Sequence, residues 1–341
     1  MNAVSPPDLA AIRLRHRALA GSVLRTPSVQ LVSDSVAQAL GADVFLKLEC
    51  LQHTGTFKAR GALSVAHAIA PDRRAFGITA ASAGNHAIAA AWAARQLGLS
   101  AKVVMQSTAN PFRVARALAE GAEVIRREGG PAVFAEAERL ARDEGRTFIH
   151  PFEGPDTTLG AAGVGLELME DVTGLEAVVV AVGGGGLISG VAAAVKAMNP
   201  ACAVYGVEPE GAASVGRSLA AGRPVTLDAV ATLADSLAPP MALPYSFGVI
   251  QALVDDMVTV SDDAICGGMV CLMEEAKLAV EPAAGAAMAG ALGPLRARLR
   301  GKRVGLIVCG ANIDGEGYST LLARGLMNRL LSYSPLAGQI S

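Results

Sequence analysis

The chain has 341 residues, 52% apolar and 18% charged, enough to bury a sizeable core as one large or two modest domains. With 29 basic and 31 acidic residues and no basic stripe, a nucleic-acid footprint is excluded and an acidic partner surface is not indicated. Aromatics at 4% beside 38 glycines argue against an aromatic-rich β-sandwich and for close helix–sheet packing.

The N-terminus MNAVSPPDLAAIRLRHRALAG lacks a charged lead into an apolar core, so no signal peptide is expected. Residues 8–21 read as a helix, with Asp8 as cap and Gly21 as stop. DVFLKLE (43–49) alternates like a strand. After Lys58 a helix runs to Pro71. Strands are expected at 76–80, 101–105, 122–127 and 147–152, with helices at 82–98, 111–121 and 131–145. The rhythm repeats with a helix at 159–174, a strand at 177–182, a helix at 187–198 and a strand at 203–208. Helices near 261–279 and 283–292 precede a strand at 303–310, and proline-rich 239–248 reads as irregular. Continuous apolar strands alternating with helices predict parallel sheets covered on both faces, an α/β fold. The expected division is a discontinuous larger domain, 1–70 with 147–341, and a smaller α/β domain, 71–146. The longest apolar runs are split by glycines, so no membrane span is expected. Five cysteines without a CxxC read as reduced thiols of a cytoplasmic protein.

Four stretches can carry chemistry. In VVVAVGGGGLISG a buried strand meets Gly183–Gly186 and then a helix. Glycines let backbone N–H groups approach an anion, and the helix N-terminus adds partial positive charge, which suits a phosphate. The alternative is a tight glycine turn without ligand. ASAGNHA (81–87) ends a strand at a helix start, where Ser82, Gly84 and Asn85 suit a carboxylate or simply cap the helix. Cys309 and Gly310 end the last strand, at the sheet end where α/β sites gather, although a buried structural thiol is the commoner outcome for a lone cysteine. In HTGTFKARGAL, Lys58 is either a solvated charge or an amine whose pKa apolar neighbours lower for chemistry.

In this order and spacing, the segments from LVSDSVAQALGADVFLKLECLQHTGTFKARGA to CGANID resemble the fold type II pyridoxal-phosphate enzymes, in the threonine/serine dehydratase and serine racemase branch. TFKARGA is similar to the SFK-x-RGA form of dehydratases; Ala59 stands where cysteine and threonine synthases have Asp. The resemblance implies two domains of parallel-rich twisted sheets with pyridoxal 5'-phosphate in the cleft between them. Lys58 would be the Schiff-base lysine, with Phe57 beside the ring. Gly183, Gly184, Gly185, Gly186 and the Leu187 N–H would hold the phosphate. Asn85 would bond the ring hydroxyl and Cys309 would face the ring nitrogen. Ser82, Ala83, Gly84 and His86 would line the loop that clamps the substrate carboxylate.

The implied reaction is α,β-elimination from a 3-hydroxy amino acid such as L-threonine or L-serine, giving a 2-oxo acid and ammonia. Racemases of this branch place a serine base where this chain has Ala83, which favours the lyase over the racemase. Ser236 replaces a glycine of the common ADG form, so 3-hydroxyaspartate, phenylserine or a hydroxyectoine-derived compound stays open as substrate. A divalent-cation site would map to Glu208, Ala212 and Ser214, the serine lacking the aspartate oxygen of relatives. GAAG at 160–163 departs from the usual GQGT. The length leaves no room for a C-terminal regulatory domain, so feedback inhibition by isoleucine is not expected. A homodimer or tetramer, without nucleic-acid or membrane partners, completes the expectation. A different class, a non-catalytic phosphate-ligand-binding protein, would use only the glycine loop.

Overall fold

A computed structural model describes residues 4–82 and 84–331. The chain opens with α1 (Leu9–Leu19), β1 (Ser28–Gln30), α2 (Asp34–Leu40), β2 (Asp43–Lys47) and α3 (Lys58–His67). Next come β3 (Ile78–Ala81), α4 (Asn85–Gln96), β4 (Ala101–Gln106), α5 (Pro111–Ala119), β5 (Glu123–Arg127), α6 (Gly130–Asp143) and β6 (Thr147–Ile149). The second half holds α7 (Pro155–Asp171), β7 (Ala177–Ala181), α8 (Gly186–Met198), β8 (Ala203–Pro209), α9 (Ser214–Ala221), α10 (Pro244–Leu253) and β9 (Asp256–Val260). It ends with α11 (Asp262–Ala276), α12 (Pro282–Leu292), α13 (Arg296–Leu299), β10 (Arg303–Ile307) and α14 (Gly315–Met327).

Two sheets form. The larger has the order β1-β2-β10-β7-β8-β9 and the smaller β5-β4-β3-β6. Every pairing is parallel except β1 with β2. β7 is wholly buried, as a strand covered on both faces requires. One apolar core joins β2, β7, β8 and β10 to α8, α11 and α12. A second joins α3 and α4 to β3 and β4.

The expected α/β architecture with parallel-rich sheets is present. Segment 244–248, expected to be irregular, opens α10. Pro244 occupies its first turn, where a missing N–H does no harm. Short β1 is an antiparallel edge strand. The smaller unit was expected to end at 146, but β6 pairs with β3 in the smaller sheet, and Ala59, Ala62, Leu63 and Ala66 of α3 join its core. A three-residue apolar strand reads alike for either sheet, so sequence does not place it. We therefore propose a division after Ile149, with α3 shared by both units.

Small residues bring helices into backbone contact. A Cβ on Gly190 would lie 2.5 Å from the Ala162 amide nitrogen, and one on Gly160 would lie 2.5 Å from the Arg60 carbonyl. The GAAG stretch thus seats α7 against both α8 and α3. No helix among the described residues is long and apolar enough to cross a membrane.

Candidate active site

The site lies at the carboxyl ends of β10, β7 and β3. Lys58 begins α3, directly after Phe57. Backbone bonds pin this segment to the end of β10. Phe57 N–H donates to the Cys309 carbonyl at 3.1 Å, Ala311 N–H to the Gly55 carbonyl at 2.9 Å, and Thr56 bridges to Gly310. Asn312 Nδ2 donates to the Thr54 carbonyl at 2.7 Å. Thr54 sits at φ 64°, a region costly for a β-branched residue, and these bonds hold it there.

The Lys58 amine donates to the Pro151 carbonyl and lies 5.0 Å from the Phe57 ring centroid. Burial lowers its pKa to about 8, while Cys309 and Glu281 pull in the opposite direction. It is thus a half-buried amine that gives up its proton more readily than a solvated lysine. A narrow cleft opens beside it, lined by Phe57, Gly61, His86, Pro151, Ala161 and Gly186 among others.

The glycine turn follows β7. Gly185 has φ +93° and precedes α8; a Cβ there would lie 2.6 Å from Ile250 Cδ1. A Cβ on Gly184 would lie 2.3 Å from the Phe152 ring. The turn is therefore compressed against Phe152 as well as strained, and larger residues do not fit. Ser189 N–H makes the first intrahelical bond, to the Gly185 carbonyl, so the N–H groups of Gly186 and Leu187 are among the free donors of the helix start.

The carboxylate-type loop follows β3. Gly84 N–H donates to Ser82 Oγ at 3.0 Å. Ala83 lies outside the described residues. His86 Nε2 lies 2.7 Å from the Ile149 carbonyl. Burial, with Lys58 nearby, lowers the His86 pKa to about 3, so the ring is neutral and donates that bond. His150 is likewise neutral, lowered to about 4 by burial and Lys58.

Asn85 and Glu281 face each other. Asn85 Nδ2 is 2.8 Å from both Glu281 carboxylate oxygens, and Asn85 Oδ1 is buried without a partner. Burial raises Glu281 to about 7, opposed chiefly by Arg113. Arg113 Nη2 is 4.0 Å from Glu281; the same guanidinium pairs with Asp235 and donates to the Asn312 carbonyl. Burial and Glu281 push the Cys309 thiol well above its ordinary value, so it stays protonated. Ser236 lies against the glycine turn, its carbonyl 3.1 Å from where a Gly183 Cβ would be.

Sequence reasoning missed Glu281, Arg113 and Phe152. Glu281 had a signal: it is the lone charge of the stretch LAVEPAAGAAM, and a single acid in an apolar run is a candidate for paired burial. Arg113 and Phe152 carry no such mark.

The orphan Asn85 oxygen, the free N–H groups of the glycine turn and the Lys58 amine of lowered pKa fit a cofactor bearing a ring hydroxyl, a phosphate and an aldehyde. Of the expected cation residues, Glu208 is engaged by backbone N–H groups and Ser214 Oγ is buried without a partner among the described residues. Glu208 Oε1 and Oε2 each accept a backbone N–H at 2.8 Å, from Val215 and Gly216, so this carboxylate caps α9. No group of three or more His, Cys, Asp or Glu side chains suited to a metal occurs among the described residues. Ala212 would contribute its backbone carbonyl to such a site, a ligand outside that set of side chains.

Comparison with known proteins identifies the family. The family profile "Pyridoxal-phosphate dependent enzyme" matches residues 19–310. A phenylserine dehydratase of Ralstonia pickettii is 45% identical over 94% of this chain and 97% of its own. An L-threonine ammonia-lyase of Thermotoga maritima is 37% identical over 94% of this chain and 79% of its own. The structure of maize serine racemase superposes with a TM-score of 0.88 at 33% identity, covering 95% of this chain and 99% of that one. The chain belongs to the pyridoxal-phosphate-dependent enzymes of fold type II, as a lyase of the threonine/serine dehydratase-like group.

Proposed function

We propose that the protein releases ammonia and a 2-oxo acid from a 3-hydroxy amino acid with an uncharged side chain, phenylserine-type compounds first and threonine or serine second. The observation that carries this reading is Lys58, its pKa lowered by burial, as the one charged group among the described residues that line the cleft. The 45% identity to a phenylserine dehydratase across nearly both chains supports the aromatic choice.

When bound, pyridoxal phosphate supplies an electron sink conjugated to the substrate α-carbon. In this reading Lys58 would hold the cofactor aldehyde and, once its amine is free, would take the substrate α-proton. With its pKa lowered to about 8, this amine is freed of its proton far more readily than a solvated lysine at 10.5. The Gly183–Gly186 turn and the Leu187 N–H bind phosphate without a charged side chain. The N–H groups around Ser82, Gly84 and His86 orient the substrate carboxylate. Protonated Cys309 gives the ring nitrogen a neutral neighbour, which favours expelling the β-hydroxyl over holding charge on the ring. Tautomerisation and hydrolysis of the product then yield the 2-oxo acid and ammonia.

A β-carboxylate, as in 3-hydroxyaspartate, is disfavoured. Arg113 is the cleft cation nearest Gly84, and Asp235 and Glu281 already engage it. The test is a comparison of kcat/KM for 2-oxo acid release from phenylserine, threonine, serine and 3-hydroxyaspartate, with chiral analysis of unreacted substrate. Phenylserine should lead. A lead for 3-hydroxyaspartate, or enantiomer formed without 2-oxo acid, overturns the reading.

A further inference from the structure

The connection from β6 to α7, residues 150–154, reaches a different part of the site with almost every residue. Just before it, the Ile149 carbonyl lies 2.7 Å from His86 Nε2. The Pro151 carbonyl accepts from the Lys58 amine. Phe152 presses on the glycine turn, its ring 2.3 Å from where a Gly184 Cβ would be. The Glu153 carboxylate accepts the N–H groups of Tyr245 at 2.6 Å and Ser246 at 3.1 Å, at the start of α10. The place of the Pro151 carbonyl therefore depends on the shape of a segment with no helix or strand of its own.

One side chain holds that shape. Pro151 has no N–H, and the next two, of Phe152 and Glu153, donate to His150 Nδ1 at 3.3 and 3.0 Å. Asn and Asp hold turns in this way, a side-chain oxygen taking nearby backbone N–H groups. Here an imidazole nitrogen does so. The role fixes the tautomer, since Nδ1 must be unprotonated to accept and the ring hydrogen then sits on Nε2. Burial favours that neutral ring and lowers its pKa to about 4. The rings of Phe152, Phe148 and Phe134 pack around it, with centroids 4.6, 5.6 and 5.7 Å away.

We propose that His150 is a positioning residue: by holding this turn it keeps the Pro151 carbonyl on the Lys58 amine, and so raises the proton affinity of that amine in its free form. This rests on the reading of Lys58 as the lysine that takes the cofactor. A charged donor makes the stronger hydrogen bond, so a carbonyl acceptor favours the ammonium over the amine. It offsets part of the burial that lowers Lys58. The other groups facing Lys58 are Glu281, the Cys309 thiol and His86. His86 and His150 are both neutral, so replacing His150 removes an acceptor and no charge.

The test is the pH profile for borohydride trapping of pyridoxal phosphate on Lys58, in protein freed of cofactor, with the labelled lysine located by peptide mass. His150→Leu and His150→Phe keep apolar bulk among the phenylalanines but offer no acceptor. His150→Asn keeps an acceptor for the turn and gives up the ring packing. In the wild type trapping should level off near pH 8. With Leu or Phe the midpoint should fall by about one pH unit, the scale of one hydrogen bond to a charged group. With Asn it should return to the wild-type value, although that variant should unfold at lower urea. Equal midpoints in all four proteins overturn the proposal and leave the reading of Lys58 standing. A midpoint displaced as far by Asn as by Leu also overturns it, because packing would then be the cause. So does a rise toward 10.5 with Leu or Phe, because the turn would then act only by excluding water. Absence of trapping on wild-type Lys58 overturns the reading of that lysine, and the proposal with it.

Discussion

Lys58 and Arg60 are two residues apart on α3, yet they belong to opposite kinds of buried polar cluster. Arg60 is 1% exposed and fully partnered. It bonds Glu49 through Nε and Nη2 at 2.8 Å and Glu167 through Nη1 at 2.7 Å, while Lys47 bonds Glu167 at 2.7 Å and the Thr26 carbonyl at 2.7 Å. Burial opposes ionisation of Glu167, but Arg60 and Lys47 overcome it and hold its pKa below the ordinary value. Lys58 has no carboxylate within ion-pair distance, and its pKa falls instead. Glu281, with one amide and a shared arginine, shifts upward. Completed pairs lock α3 to α7 and β2, whereas incomplete ones leave protons free to move near neutrality.

The largest break of this contrast is Lys58→Ala. Lyase activity should fall by about 10²- to 10⁴-fold or more, and borohydride should no longer fix the cofactor on the chain. In the wild-type protein freed of cofactor, trapping of pyridoxal phosphate by Lys58 should rise about tenfold per pH unit and level off near pH 8. A rise continuing toward 10.5, the ordinary lysine value, would mean a solvated amine.

Arg60→Met attacks the completed cluster. It leaves Glu49 without its guanidinium and Glu167 with Lys47 alone, which should lower stability by about 3–5 kcal/mol in urea unfolding. Lys58 reactivity in the protein that remains folded should keep its pH profile, because the two clusters share no partner.

The incomplete cluster gives stability a pH dependence. The folded pKa of Glu281 lies above its ordinary 4.5, so its contribution is present below 4.5 and is lost as pH rises toward about 7. In the cofactor-free protein this amounts to about 3 kcal/mol, as an order of magnitude. Glu281→Gln should flatten part of that fall. Glu208, also raised to about 7 by burial, should keep the rest. An unchanged slope of unfolding free energy against pH would remove Glu281 from this account.

The smallest effect is expected at the glycine turn. Gly184→Ala puts a methyl group against the Phe152 ring and should cost about 1–3 kcal/mol, read as weaker cofactor binding with the fold retained. Full affinity would show that Phe152 can yield.

Much of this was legible in sequence. The 177–198 stretch announces itself because an apolar strand, four glycines and a helix each have their own local signature. The α/β architecture follows from the same periodicities, and Lys58, Asn85 and Cys309 were marked by the segments around them. Short β1 and β9 were missed, since three to five residues with partial burial carry little periodicity.

Local patterns depend on neighbours a few residues away, and those the chain itself specifies. The partner of a buried charge comes from far along it: Glu281 lies 196 residues from Asn85, and Glu167 lies 107 residues from Arg60. The sequence by itself determined the longer apolar strands, the glycine turn, the lysine and the cofactor family. Only the tertiary structure decided which buried charges are neutralised and which are left near pH 7, because desolvation and pairing act through distances that no spacing along the chain encodes.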